Sequence, residues 1–121
     1  MDKIINTTPH DIHYINGDLR LTFSKASVQI RLSEEKANPK TFKIGNIYVA
    51  IIDPPVYTGI DGLPDDQSNT IIVSQLVGEY LKANPDKYKG TVVGPHTGPA
   101  FVVRDDKGAI IGTKSFILYK N

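Results

Sequence analysis

At 121 residues, with 40% apolar and 22% charged side chains, the chain has the length of one domain, 1–121, and the composition of a folded globular protein rather than a disordered tail. Its 14 basic and 13 acidic side chains leave a formal charge of +1, with no run of Lys or Arg able to neutralise a row of phosphates; this excludes extended nucleic-acid binding and leaves room for a single nucleotide. The absence of cysteine excludes disulfides, thiolate catalysis and Cys-type zinc sites. With no apolar stretch of signal-peptide or membrane-span length, the expected setting is a reducing cytoplasm without membrane contact.

Short alternating or β-branched runs at 3–5, 11–15, 19–23, 28–32 and 47–52 predict strands. Asn16-Gly17 between the second and third accepts positive φ at both central turn positions and predicts a hairpin. Asp53-Pro54-Pro55 ends the fifth run, because proline cannot donate to a ladder. The following residues 57–66, rich in glycine and acids, predict a surface loop. Residues 70–73 predict a strand, and Ser74 caps a helix running through Ala83, with Leu76, Val77, Tyr80 and Leu81 on its apolar face. Asn84-Pro85 stops that helix. A strand at 91–93, a loop at 94–99, a strand at 101–104, a turn at 105–108 and a long last strand at 109–119 complete the chain. The expected fold class is α+β and mainly β: an antiparallel or mixed sheet, or a small barrel-like one, with one short helix.

Two Pro-His loops stand out, one holding Asn6, Thr7, Thr8, Pro9 and His10, the other Pro95, His96, Thr97, Gly98 and Pro99. Each sets an imidazole and hydroxyls beside a stiff backbone. If the first and last strands are neighbours, the two loops line one cleft. The hydroxyls of Thr7, Thr8 and Thr97 and the N–H groups of Thr97 and Gly98 then suit phosphate or ribose oxygens, Gly98 allows close approach, and Arg104 supplies a fixed cationic fork. The plainer alternative makes these turn residues whose threonines bond their own backbone.

Other constellations point less far. His10 and His13 are three apart on a strand and face opposite ways, so no metal site is expected even with His96 added. Asp61, Asp65 and Asp66 lack the alternation and closing glutamate of a calcium loop. Ser74 lacks the context of a nucleophile. His10 and His96 together would supply an acid-base pair for a phosphoesterase, although only His96-Thr97 begins like a His-x-Thr signature.

Residues 5–12, Gly62-Leu63-Pro64, residues 72–77, and Thr97-Gly98-Pro99 with Arg104-Asp105 and Gly108 occur in an order that resembles the small bacterial and phage proteins carrying an Asn-Leu-Thr-Pro-His motif. The likeness spans nearly the whole chain, departing at Thr7, where leucine is usual, and at His96, where aspartate is common. It implies a compact domain with the motifs gathered at one site. Phage proteins of this size include sponges that sequester nucleotide-derived immune signals, such as cyclic dinucleotides or cyclised ADP-ribose.

The expected function is therefore that of a phage anti-defence sponge in the bacterial host cell: it binds a phosphorylated, nucleotide-derived ligand through Asn6, Thr7, Thr8, His10, Ser74, His96, Thr97, Gly98 and Arg104. It needs no catalytic residue, cofactor or metal. A homo-oligomer fits the small size, since a second copy adds enclosure to a pocket. A phosphoesterase using His10 and His96, and a structural or host-interaction protein, are the alternatives.

Overall fold

The computed structural model describes residues 3–121. Among them, strands dominate around a single α-helix, an α+β fold that is mainly β. The first sheet contains β1 (Ile4–Asn6), β8 (Thr70–Ile72), β9 (Val92–Pro95) and β12 (Phe116–Lys120), in the order β1-β8-β9-β12. β1, β8 and β9 run parallel, whereas β12 is antiparallel to β9. Parallel neighbours require a crossover. Helix α1 (Gln75–Ala83) supplies it between β8 and β9.

The central residues Ile71, Ile72 and Val73 are all but inaccessible, which explains an unbroken β-branched run rather than an alternating one. The Ser74 hydroxyl accepts the Val77 N–H at 3.3 Å and so starts α1. The buried face of α1 is Val77, Gly78 and Leu81, with Tyr80 half-buried. Leu76, assigned to that face from its spacing, is instead 50% exposed. Gly78 replaces it as a core position because the Tyr119 ring lies directly on the helix backbone there.

The second sheet contains β2 (Ile12–Asn16), β3 (Leu19–Phe23), β10 (Val102–Arg104) and β11 (Ile110–Thr113), in the order β10-β11-β2-β3. The expected β2–β3 hairpin forms, but its two central turn residues are Gly17 and Asp18 rather than Asn16 and Gly17: Asn16 pairs with Leu19 in the ladder, and only Gly17, at φ +62°, takes positive φ. The long last strand predicted at 109–119 is two strands in different sheets, β11 and β12, separated by Lys114 and Ser115. Thr113 sets the break: its buried hydroxyl lies 2.8 Å from the carbonyl oxygens of both His96 and Ser115, drawing the chain away from the β11 ladder. Neither sheet closes into a barrel.

A two-stranded ribbon rises from this body. Its root pairs β4 (Arg31–Glu34) with β7 (Tyr57–Asp61), and its distal half pairs β5 (Lys40–Ile44) with β6 (Ile47–Ile51) about Gly45, at φ +61°. The loop expected at 57–66 is thus a strand over its first half. Ile60 and Leu32, opposite each other in the ladder, pack on the core and outweigh the turn-forming composition. β5 escaped the sequence reading, and the strand predicted at 28–32 is displaced to β4.

Tyr88 is fully buried with its hydroxyl donating to the Asn69 carbonyl at 2.6 Å, and Tyr119 is buried with no partner for its hydroxyl. Burial raises both phenols above the ordinary 10.0, with the charges of Asp66 and Glu79 respectively acting in the same direction. A folded-state pKa above the unfolded one contributes stability that is intact below pH ~10 and is lost as pH rises through the folded values. Urea midpoints are therefore expected to fall on the alkaline side of pH ~10, and less steeply in Tyr119→Phe.

Candidate functional site

Topology brings the sequence motifs to one edge. Asn6 is level with Ile72, and Ile72 with Val93, so residues 7–10, Ser74 and residues 96–98 all follow the carboxyl ends of adjacent parallel strands. Neighbouring strands lie ~4.8 Å apart, which puts the two Pro-His loops within roughly 10 Å laterally. The route to this arrangement differs from the one expected: β1 and β12 lie at opposite edges of their sheet, and the strand between β1 and β9 is β8.

Within that edge the predicted residues divide. Asn6, Thr7 and Thr8 are buried and engaged with the backbone. Asn6 Nδ2 donates to the carbonyls of His10 and Phe23, both at 2.8 Å, and its Oδ1 accepts the Thr8 N–H at 3.0 Å. Thr7 Oγ1 donates to the Ile72 carbonyl at 2.7 Å. Together with Ser74 these threonines border a depression of only ≈ 20 Å³. Such a volume admits about one water. His10 is exposed, and Arg104, also exposed, donates Nη1–H to the Gly108 carbonyl at 2.7 Å and ties its own hairpin.

His96 and Thr97 border a larger cavity of ≈ 210 Å³, together with residues 11–13, 110–113 and Val102. None of His10, Ser74, Gly98 or Arg104 lines it. The His96 ring lies 4.2 Å from the Phe101 ring, tilted 37°. Its Nδ1 accepts the Gly98 N–H at 3.0 Å, so in the neutral ring the proton sits on Nε2 and that nitrogen is a donor. Gly98 thus acts on the site through His96 rather than on a ligand directly. A Cβ at position 98 would lie 2.7 Å from His96 Cε1, and only glycine lets the imidazole fold under its own loop.

The opposite wall comes from β2 and β11, joined in parallel with Tyr14 opposite Thr113. Asp11 Oδ1 accepts the Lys25 N–H at 2.9 Å, and His13 Nδ1 lies 3.0 Å from Thr22 Oγ1. Asp11, His13 and Thr113 were not predicted as site residues; the strand alternation over 11–15, which sets Asp11 and His13 on one face, was the available signal. Among the described residues no three His, Asp or Glu side chains converge as a metal would require. Asp66 accepts from the Ser68 N–H at 3.1 Å and lies 2.7 Å from the Ser68 hydroxyl, bonds that hold its carboxyl below the ordinary range and close a local turn.

No protein-family model matches the chain, and no curated protein or solved structure is significantly similar to it.

Proposed function

We propose that this chain is a small-ligand-binding protein that sequesters a phosphorylated, nucleotide-derived signalling molecule, gripping one end of it in the cavity between the end of β9 and the start of β2. The observation that carries this reading is the cavity at the carboxyl end of β9, where the second Pro-His loop sets His96 and Thr97 across from Asp11, Ile12 and His13 at the start of β2; residues 6–10 of the first loop do not border it. The Nε2–H of His96 and the hydroxyl of Thr97 suit phosphate oxygens, the Asp11 carboxylate suits a ribose hydroxyl, and Ile12, Val102 and Ile110 offer an apolar face to a base. At ≈ 210 Å³ the cavity is smaller than the ~300 Å³ that encloses a whole drug-sized ligand. The remainder of a nucleotide then lies on the exposed rim.

Binding is favoured over hydrolysis because the imidazole pair that a phosphoesterase would use is divided: His96 borders the cavity and His10 does not. The likeness to small phage and bacterial proteins noted above adds the biological setting, an anti-defence sponge acting in the host cytoplasm. With no Trp and 6 Tyr, a retained nucleotide distorts the ultraviolet spectrum plainly. Heat release followed by mass spectrometry is expected to yield an intact nucleotide-type molecule, which thermal-shift titration then confirms. His96→Ala is expected to weaken retention at least about tenfold, whereas Arg104→Ala leaves it unchanged. A protein free of ligand and unshifted by cyclic and linear nucleotides would remove the proposal; a cleaved product would convert it to an esterase.

A further inference from the structure

A second cavity, of ≈ 230 Å³, adjoins the ligand cavity. It is bordered by His13, Ile15, Arg20, Leu21, Thr22 and Ile111, and two of these, His13 and Ile111, border the ligand cavity as well. Residues 11, 13 and 15 alternate onto one face of the chain. Asp11 borders the first cavity, His13 both, and Ile15 the second. The two cavities are therefore successive stretches of one groove along β2, their centres about two residues apart, or ~7 Å at ~3.4 Å per residue.

The neighbouring strand is shaped to this groove. The β10–β11 ladder passes over Ile111, since Val103 opposes Gly112 and Arg104 opposes Ile110. A bulge of this kind re-aims a side chain, and here Ile111 meets both cavities. At Gly112 a Cβ would lie 2.8 Å from the His13 carbonyl oxygen and 2.9 Å from Ile15 Cδ1, so glycine lets β11 close on β2 beside the groove residues.

Charge separates the two stretches. The first carries the Asp11 carboxylate, whereas the second has no acidic residue on its walls and carries the Arg20 guanidinium. Among the described residues the one ion pair joins Lys40 to Asp53, so Arg20 has no carboxylate partner. In the β2–β3 ladder Arg20 opposes Ile15 and Thr22 opposes His13. Thr22 Oγ1 lies 3.0 Å from His13 Nδ1, which leaves Nε2 as the ring nitrogen free for a ligand. A guanidinium beside an imidazole, with a hydroxyl fixing the ring, suits the oxygens of a phosphate, which arginine can take in bidentate fashion.

We propose that this second stretch is a phosphate subsite, and that the ligand is a nucleotide carrying two phosphates separated by a ribose, one held by His96 and Thr97 and the other by Arg20 and His13. This rests on the reading of the first cavity as a nucleotide site. Neither cavity alone reaches the ~300 Å³ that encloses a drug-sized ligand, whereas the two together exceed it. The spacing selects the ligand class. The phosphates of a diphosphate share a bridging oxygen and cannot occupy both stretches; phosphates on the 3′ and 5′ carbons of one ribose, as in a 3′,5′-bisphosphate or a 5′-phosphorylated dinucleotide, can.

Isothermal titration calorimetry on the full chain, with the 5′-monophosphates, 5′-diphosphates and 3′,5′-bisphosphates of adenosine and guanosine, tests this. The bisphosphate is expected to bind at least about tenfold tighter than the monophosphate or diphosphate of the same base. R20Q, at an exposed position of β3, is expected to keep the parent's circular dichroism and urea midpoint and to bring the bisphosphate down to the affinity of the monophosphate, whereas H96A weakens every compound. A parent that binds monophosphate or diphosphate as tightly as bisphosphate, or an R20Q variant that keeps the preference, overturns the second subsite and leaves the reading of the first cavity standing. A parent that binds none of these compounds also overturns it, and the thermal-shift response to cyclic nucleotides then decides the first cavity separately.

Discussion

Asn6→Asp is expected to destabilise the fold by about 3 kcal/mol or more, and by more than Asn6→Ala, although aspartate matches asparagine in shape. The residue is 2% exposed and its carboxamide is fully engaged: Nδ2 donates to the carbonyls of His10 and Phe23, and Oδ1 accepts from Thr8. Its backbone carbonyl also accepts the Ala26 N–H at 2.8 Å. One side chain therefore fixes the end of β1, the turn leading to β2, and the end of β3. Alanine leaves the two carbonyls and the Thr8 N–H without that partner, at about 2–3 kcal/mol. Aspartate keeps the acceptor but turns a carboxylate oxygen on two carbonyl oxygens, either as a buried charge or as an acid able to donate to only one of them. Urea unfolding at neutral pH checks the order: Asp below Ala below parent in midpoint, with unchanged slope. An Asn6→Asp midpoint equal to the parent's would show that the amide is not the staple described.

The same residue illustrates what the sequence could and could not reveal. The strands at 11–15, 19–23 and 47–52, the hairpin that turns at Gly17 and the Ser74-capped helix are local features, dictated by periodicity, turn chemistry and a hydroxyl within reach of a first-turn N–H. The expected convergence of the Pro-His loops is non-local. It depends on parallel pairing of β1, β8 and β9, which no local pattern encodes. Whether Asn6, Thr7 and Thr8 face a ligand or their own backbone depends on where the Ile72, His10 and Phe23 carbonyls fall, and only the fold decides that. The alternative in which these threonines bond backbone is the one observed. Likewise the continuous β pattern over 109–119 hides a change of sheet, because Thr113 and Ser115 form strands as readily as their neighbours until a distant carbonyl, that of His96, recruits the Thr113 hydroxyl.

Gly78→Ala is the second large effect, and its sign is opposite to what the helix alone dictates. In an exposed helix interior alanine is favoured over glycine by about 1 kcal/mol. Here the Tyr119 ring rests on the helix at position 78, where an added Cβ would lie 2.5 Å from both Cδ2 and Cζ of that ring. The ring cannot withdraw freely, because Gly94 of β9 also approaches it, a Cβ there lying 2.9 Å from Tyr119 Cε2. Overpacking at such a site outweighs the propensity gain, and a net loss of about 2 kcal/mol is expected. Replacing the ring by a smaller side chain frees the position: in a Tyr119→Leu background, Gly78→Ala is expected to be neutral or to stabilise by up to about 1 kcal/mol, a coupling of roughly 2–3 kcal/mol in a double-mutant cycle. Tyr119→Phe separates the ring from its hydroxyl. The hydroxyl is buried without a partner, so its removal is expected to be neutral or stabilising, and because the contact is with ring carbons it leaves the cost of Gly78→Ala in place. A Gly78→Ala cost that persists unchanged in Tyr119→Leu would place the constraint in the helix backbone instead of in the ring.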